Sequence, residues 1–292
     1  MRRKIPKNIW IPVFLFLFFL IFDTILYDYL VNNPEYYQLD AYTCETEEFR
    51  AMNFGDGTIS FGKDFAKQHN VEFSEAITLL MLNSRFKISK KDREDFTYFS
   101  YQNLLNNVTK NKKNEFLKLQ NSYGKILDDL VYFPIPESTN SEMPFVNYSD
   151  TWGYERTYGG DRTHEGTDIM AEVQTRGIYP VISISDGVVE KIGWLEQGGW
   201  RIGIRTASGA YLYYAHLFNY AKDFQPGATV KAGDLLGFMG DSGYSKVEGT
   251  VGNFEVHLHL GIYLQTDHYE ELSVNPYWIL RYLEENKLKY SY

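Results

Sequence analysis

The first thirty residues carry the most uniform hydrophobic pattern of the chain. An apolar run extends from Ile9 to Leu26 and is interrupted only by Asp23 and Thr24. As an α-helix this run would be about 27 Å long, which is close to the hydrocarbon thickness of a membrane. The pattern predicts a transmembrane helix within residues 1–30.

The residues around this run predict its orientation. Positive charges precede it, and interfacial aromatic residues flank it, with Trp10 at one end and Tyr27 and Tyr29 at the other. Because positive charges stay in the cytoplasm, we expect an uncleaved signal anchor in the cell membrane, with the rest of the chain extracytoplasmic. The charges belong to Arg2, Arg3, Lys4 and Lys7.

A cleaved signal peptide is the alternative interpretation of this segment. Cleavage would require small residues after the apolar run, and bulky residues and Asp23 stand there instead. Under either interpretation, the remainder of the protein crosses the membrane.

Residues 31–131 show a helical pattern. The stretch "SEAITLLMLNS", residues 74–84, begins with a serine that can cap a helix and continues with good helix formers. A later apolar stripe has helical spacing, which predicts that it packs a small bundle or pairs with a helix of a protein partner. We interpret His69 as a solvated polar residue and predict no chemistry here. The stripe consists of Phe116, Leu119, Tyr123, Ile126 and Leu130.

The pattern changes after residue 131. Residues 133–145 contain three prolines and a polar stretch, which is typical of a linker. Beyond it, short runs rich in Val, Ile and Tyr alternate with glycine-containing turns, as in "YPVISI" and "WRIGIRTASG". Such runs predict an all-β domain over residues 132–292. The chain as a whole is therefore expected to be α+β, with an anchor (1–30), a helical region (31–131) and this β domain.

Charge and cysteine content narrow the function classes. Of the formal net charge of −9, the four basic residues of the N-terminal head contribute +4, so the remainder carries −13. A nucleic-acid-binding protein would normally show a basic face, so we expect no nucleic-acid partner. Cys44 is the single cysteine, which excludes an intramolecular disulfide.

The stretch "EVHLHLGIY" contains the first candidate chemistry. Alternate residues of a β-strand point to the same face, so His257 and His259 would share one face. Val256, Leu258 and Leu260 would then point into a core. A rigid strand would thus present both imidazoles to one site, although two surface histidines on a half-exposed strand would give the same pattern.

Two further segments supply candidate ligands. In "THEGTDIMA", Gly166 separates His164 from Asp168, and a tight turn at the glycine could bring both side chains to one ion. Zinc binds imidazole nitrogen and carboxylate oxygen. In "YLYYAHL", His216 lies near the end of an alternating strand, on the same face as Leu212 and Tyr214. Each segment alone is a weak signal.

Together and in this order, these segments resemble the lysostaphin-like (LytM-type) zinc endopeptidases that cut peptidoglycan peptides. The resemblance covers about residues 132–292 and includes "GTDI", "DGVVEKIGW", "VKAGDLLGFMGDSG", "HLHL" and "NPYWIL". It implies an antiparallel sheet of the duplicated hybrid motif type. It also implies one Zn²⁺ per chain, held by His164, Asp168 and His259, with His216 and His257 as catalytic residues. The substrate would be a stem or cross-bridge peptide of peptidoglycan.

The chain departs from that family at two places. Leu260 and Gly261 follow the H-L-H segment, where an aromatic and an acidic residue are frequent. The segment "YSKVEGTVGNFEV", residues 244–256, is longer than expected and could reshape a wall of the substrate groove. His268 is interpreted as a loop residue without a role.

Two other functions fit a chain of this kind. Some relatives have lost metal ligands and act as membrane-tethered scaffolds or activators, but all five positions are intact here. A sporulation or envelope-assembly protein could act through its helical region instead. The sequence leaves open which cross-link is cut and whether His216 or His257 is the general base.

Overall fold

The computed structural model describes residues 10–32, 39–158 and 160–292. Helix α1, Trp10–Asn32, is a single apolar helix whose side chains are exposed from Trp10 to Leu30. Its length and composition fit a membrane span or a signal sequence. The basic residues that predict its orientation, Arg2, Arg3, Lys4 and Lys7, lie outside the described residues.

Short helices build the region between the anchor and the sheet. Their apolar faces meet in one core, in which the stripe predicted from sequence is buried. The stripe therefore packs within the chain and is not exposed for pairing with a helix of a protein partner. The helices are α2 Glu47–Arg50, α3 Thr58–His69, α4 Phe73–Asn83, α5 Lys90–Asp95, α6 Tyr98–Asn111 and α7 Lys113–Leu127, after a 3₁₀ turn at Thr43–Glu45.

Two details of this region differ from the prediction. Helix α4 begins at Phe73 after Glu72, so Ser74 lies inside the helix and is not its cap. The ring of Phe73 packs against Gly62 of α3. His69 is half-buried rather than solvated, because its ring stacks on Tyr98 with centroids 4.6 Å apart.

The rest of the chain is built around an antiparallel sheet, which confirms the α+β class. The strands are β1 Glu137–Ser138, β2 Asn147–Tyr148, β3 Glu155–Arg156, β4 Arg162–Thr163, β5 Thr167–Met170, β6 Pro180–Ile182, β7 Gly187–Leu195, β8 Gly199–Thr206, β9 Tyr211–Tyr220, β10 Thr229–Val230, β11 Leu235–Met239, β12 His257–Leu264, β13 Leu272–Val274 and β14 Lys289–Tyr290; helix α8 spans Tyr277–Leu283. The main strand order of the sheet is β10-β7-β8-β9-β12-β5-β2, with β11 paired to β6 and β9, and β13 paired to β12. Two short pairs are separate from this sheet: the antiparallel hairpin β3–β4 and the parallel pair β1–β14.

The helical region packs directly on the sheet. Buried side chains of both regions belong to one continuous apolar cluster. Phe133 and Ile135 are fully buried, so the proline-containing stretch that resembles a linker packs against the sheet. His268, predicted to have no role, lies 2.8 Å from Glu45 and links the β12–β13 loop to the 3₁₀ turn. The domain boundaries at residues 30 and 131 stay a prediction.

Candidate metal centre

Three adjacent strands present the candidate site on one face of the sheet. On β12, His259 lies directly opposite Asp168 of β5 and opposite Ala215 of β9. Leu258 and Leu260 of β12 are fully buried on the other face. The strand alternation read from "HLHL" therefore orients both histidines of this segment away from the core.

His164, Asp168 and His259 converge on one point. Nε2 of His164 lies 3.0 Å from Oδ1 of Asp168 and 3.0 Å from Nδ1 of His259. The same Nδ1 lies 2.9 Å from that carboxylate oxygen. Gly166 allows this convergence by its lack of a side chain, because a Cβ there would lie 2.6 Å from the ring of His259.

The chemistry of these three groups fits a divalent cation such as zinc. Nδ1 of His164 lies 3.0 Å from the hydroxyl oxygen and 3.1 Å from the carbonyl oxygen of Thr151, and the tautomer that donates to this carbonyl carries its hydrogen on Nδ1. Its Nε2 therefore presents a lone pair towards Oδ1 of Asp168, which is also an acceptor. A cation between them relieves this repulsion, and two imidazoles with one carboxylate are ligands that zinc prefers.

Asp168 is held in its charged form. Burial would raise the pKa of Asp168, but in the protonation state in which His164 and His259 donate hydrogen bonds to the carboxylate, these bonds outweigh burial and hold that pKa well below its usual range. Its second oxygen, Oδ2, accepts a hydrogen bond of 2.7 Å from Arg156 on β3. Sequence reasoning missed Arg156 and Thr151, because no periodicity or motif in "SDTWGYER" marks them as partners of the ligands.

His216 reaches the site through a β-bulge. The register of β9 against β8 shifts between Tyr214 and Leu217, and His216 has a φ of 61°. A regular strand would direct His216 to the same face as Leu212 and Tyr214, as the sequence predicts, and both of those residues are fully buried. The left-handed residue turns its ring towards the site instead, where it lies 4.6 Å from the ring of His257.

His216 and His257 are held in the same way. Nδ1 of His216 donates to the carbonyl of Ser242 at 2.8 Å, and Nδ1 of His257 donates to the carbonyl of Glu255 at 2.7 Å. Each ring therefore presents an unprotonated Nε2 when neutral. Burial, as the largest effect, lowers the pKa of both histidines below the usual value, so both are neutral at neutral pH.

The long segment at residues 244–256 packs around His216. The rings of Phe254 and Tyr244 lie 4.7 Å and 5.8 Å from the ring of His216, and Tyr158 stacks on Tyr244 at 4.5 Å. The segment supplies part of the apolar surroundings that bury His216 and keep it neutral. The sequence marks the segment as unusual but does not predict the contacts of Phe254 and Tyr244 with His216.

A groove of about 750 Å³ opens beside the three candidate ligands. Tyr211, Tyr213 and Tyr263 line it with aromatic surface. A volume of this order is typical of a ligand-binding cleft. Besides Asp168, the charged side chains along it are Arg162, Glu165, Lys191, Arg201 and Glu271.

Comparison with known proteins identifies one family model and several related peptidases. The model of Peptidase family M23 matches residues 162–276, which contain all five candidate residues. The L-Ala–D-Glu endopeptidase of Bacillus subtilis is 44% identical over 167 residues, which are 57% of this chain and 48% of that protein. Glycyl-glycine endopeptidase ALE-1 of Staphylococcus capitis is 33% identical over 34% of this chain and 29% of its own length.

A solved structure matches over more of the chain. The crystal structure of a Ruminococcus gnavus protein assigned as a glycyl-glycine endopeptidase, lytM, is 42% identical and superposes with a TM-score of 0.76. The match covers 88% of this chain and 98% of that one. By contrast, the chain matches less than half of the length of the curated relatives described above.

Proposed function

This chain belongs to peptidase family M23, and we propose that it is a zinc-dependent endopeptidase that hydrolyses peptide bonds in the peptides of peptidoglycan. The family match confirms the resemblance inferred from the sequence. The observation that carries the proposal is the convergence of His164 Nε2, Asp168 Oδ1 and His259 Nδ1 within 3.0 Å of one another.

These three residues would hold one zinc ion per chain. When bound, zinc supplies Lewis-acid polarisation of the scissile carbonyl and lowers the pKa of a bound water towards neutrality. The hydrogen bonds from His164 to Thr151 and from Arg156 to Asp168 orient the ligands, as outer partners of a metal site do.

His216 and His257 would perform the proton transfers. In both residues Nδ1 donates a hydrogen bond to a backbone carbonyl, so Nε2 can accept the proton of the attacking water. A histidine that has accepted a proton can then donate a hydrogen bond to the developing oxyanion or a proton to the leaving amine. Since the rings lie 4.6 Å apart, one substrate can contact both.

Helix α1 would tether this activity to the membrane. Its apolar composition and the basic residues that precede it in the sequence support a signal anchor with the sheet on the outer side. Peptidoglycan peptides lie on that side of a bacterial membrane, so the location and the activity are consistent.

The names of the relatives differ in the bond that is cut. One acts on an L-Ala–D-Glu bond and another on glycyl-glycine bonds. The test uses full-length protein in detergent, incubated with zinc or with a chelator on purified peptidoglycans that contain or lack glycine bridges. Mass spectrometry of the released fragments identifies the new termini.

We expect new peptide termini that appear with zinc and not with chelator. The absence of new termini from every peptidoglycan, with a zinc-loaded protein, would contradict the proposal and favour a scaffold or activator.

A further inference from the structure

Arg201 occupies the groove close to the candidate metal centre. It lies on β8 opposite Gly193 of β7, and its other neighbour is the bulge of β9 at Ala215 and His216. Ala215 in turn lies opposite His259. Arg201 is therefore two strands away from a candidate ligand, a distance of about 10 Å between backbones.

The guanidinium of Arg201 has no partner within the described part of the chain. Its Nε and Nη1 atoms are shielded from solvent and make no hydrogen bond there. Arginine stays charged, and a shielded charge without an acceptor costs free energy. Such a group is expected where an external anion completes the site.

The neighbouring cations differ from Arg201 in this respect. Lys191, also in the groove, forms an ion pair with Glu271. Arg205, four residues further along β8, forms two hydrogen bonds with Glu190, at 2.6 Å and 2.9 Å. The missing partner is thus specific to Arg201 and is not a general feature of this strand.

The surroundings of Arg201 favour a planar anion on a peptide. Tyr211 and Tyr213 stand on the same face of the sheet, and the absence of side chains at Gly203 and Gly198 makes room for their hydroxyl groups. Aromatic walls exclude water and strengthen a charge–charge contact. The fork of donors on a guanidinium matches a carboxylate, and because Nε and Nη1 are shielded here, a substrate carboxylate must displace part of that cover to accept two parallel hydrogen bonds.

We propose that Arg201 binds a free carboxylate of the substrate peptide, so that the groove selects peptides with an acidic residue near the scissile bond. This inference rests on the proposed function. A D-glutamyl residue within a peptide keeps one free carboxylate, whereas a glycine bridge has none. The separation from His259 corresponds to about three residues of extended peptide, or fewer when a side chain carries the carboxylate.

Binding is the test, since it does not depend on turnover. The full-length chain with His257→Ala is loaded with zinc in detergent. Fluorescent peptides that contain an Ala–D-Glu or an Ala–D-Gln unit are titrated by anisotropy. We expect the acidic peptide to bind roughly ten-fold to a hundred-fold more tightly, as for a hydrogen bond to a charged group.

Variants assign that preference to one residue. In the His257→Ala background, Arg201→Gln should abolish the preference for the acidic peptide. Arg201→Lys should keep part of this preference, because lysine retains the positive charge but lacks the two parallel donors of a guanidinium. Arg205→Gln is the matched control and should leave the preference unchanged. Because the guanidinium of Arg201 has no protein partner, Arg201→Gln should not lower the melting temperature.

The outcomes separate this inference from the proposed function. Equal binding of both peptides, binding of neither, or a preference that survives Arg201→Gln would overturn the role of Arg201. Hydrolysis by the wild-type chain is measured separately with the acidic peptide. A chain that prefers this peptide through Arg201 but never cleaves it would support the role of Arg201 and overturn the proposed function.

Discussion

His257 and His259 lie two residues apart on the same face of β12 but have different partners. Nδ1 of His259 lies 2.9 Å from Oδ1 of Asp168. Nδ1 of His257 instead donates to the carbonyl of Glu255 at 2.7 Å, and its Nε2 stays 3.7 Å from the same carboxylate oxygen. A single strand can thus carry a candidate metal ligand and, two residues away, a histidine whose Nε2 is available to accept a proton.

Arg156 should tune the affinity of the metal site. Its hydrogen bond to Oδ2 of Asp168 fixes the carboxylate, and the loss of such an outer partner typically lowers metal affinity roughly 10–100-fold. We expect Arg156→Ala to show this loss in a titration against a competing zinc chelator. Glu155→Gln, an exposed neighbour on the same strand, is the control. Unchanged affinity in Arg156→Ala would refute the assigned role.

Arg50 should stabilise the junction between the helical region and the sheet. It donates to the backbone carbonyl and the hydroxyl of Ser273, both at 2.9 Å, and its guanidinium lies 5.4 Å from the ring centre of Trp152. We expect Arg50→Ala to lower the free energy of unfolding by about 1–3 kcal/mol, as measured by chemical denaturation. Lys113→Ala, at an exposed position, should change it by less than about 0.5 kcal/mol. Equal values for both variants would count against a structural junction here.

The orientation of the chain is open to a direct test. If Arg2, Arg3, Lys4 and Lys7 hold the N-terminus in the cytoplasm, protease added to wall-stripped cells should degrade the chain beyond the anchor. Immunoblotting with antibodies against the sheet region would follow its loss, and a cytoplasmic protein that stays intact is the control. Complete protection of the sheet region would reverse the predicted orientation.

The sequence predicts the parts of the site that depend on local periodicity. The two-residue repeat of a strand suffices to place His257 and His259 on one face, opposite to Leu258. The direction of His216 could not be predicted in this way, because it depends on a bulge and a left-handed backbone in an otherwise regular strand.

Contacts over long sequence separations were not predictable either. Arg156 reaches Asp168 from a short hairpin, and Arg201 is distinguished only by the partner that it lacks. Neither the contact of Arg156 nor the missing partner of Arg201 produces a recognisable pattern in the amino-acid sequence. The proline-containing stretch has the composition of a linker, yet Phe133 and Ile135 are buried because distant segments supply the surfaces that cover them.

The most direct test of the proposed metal centre is the zinc content of three purified full-length proteins, measured by mass spectrometry. The wild type should hold one zinc per chain. His257→Ala should hold the same amount, because its ring lies outside the set of ligands. His259→Ala should lose most of its zinc, since one of three protein ligands is removed. Zinc that persists in His259→Ala but disappears in His257→Ala would contradict the account.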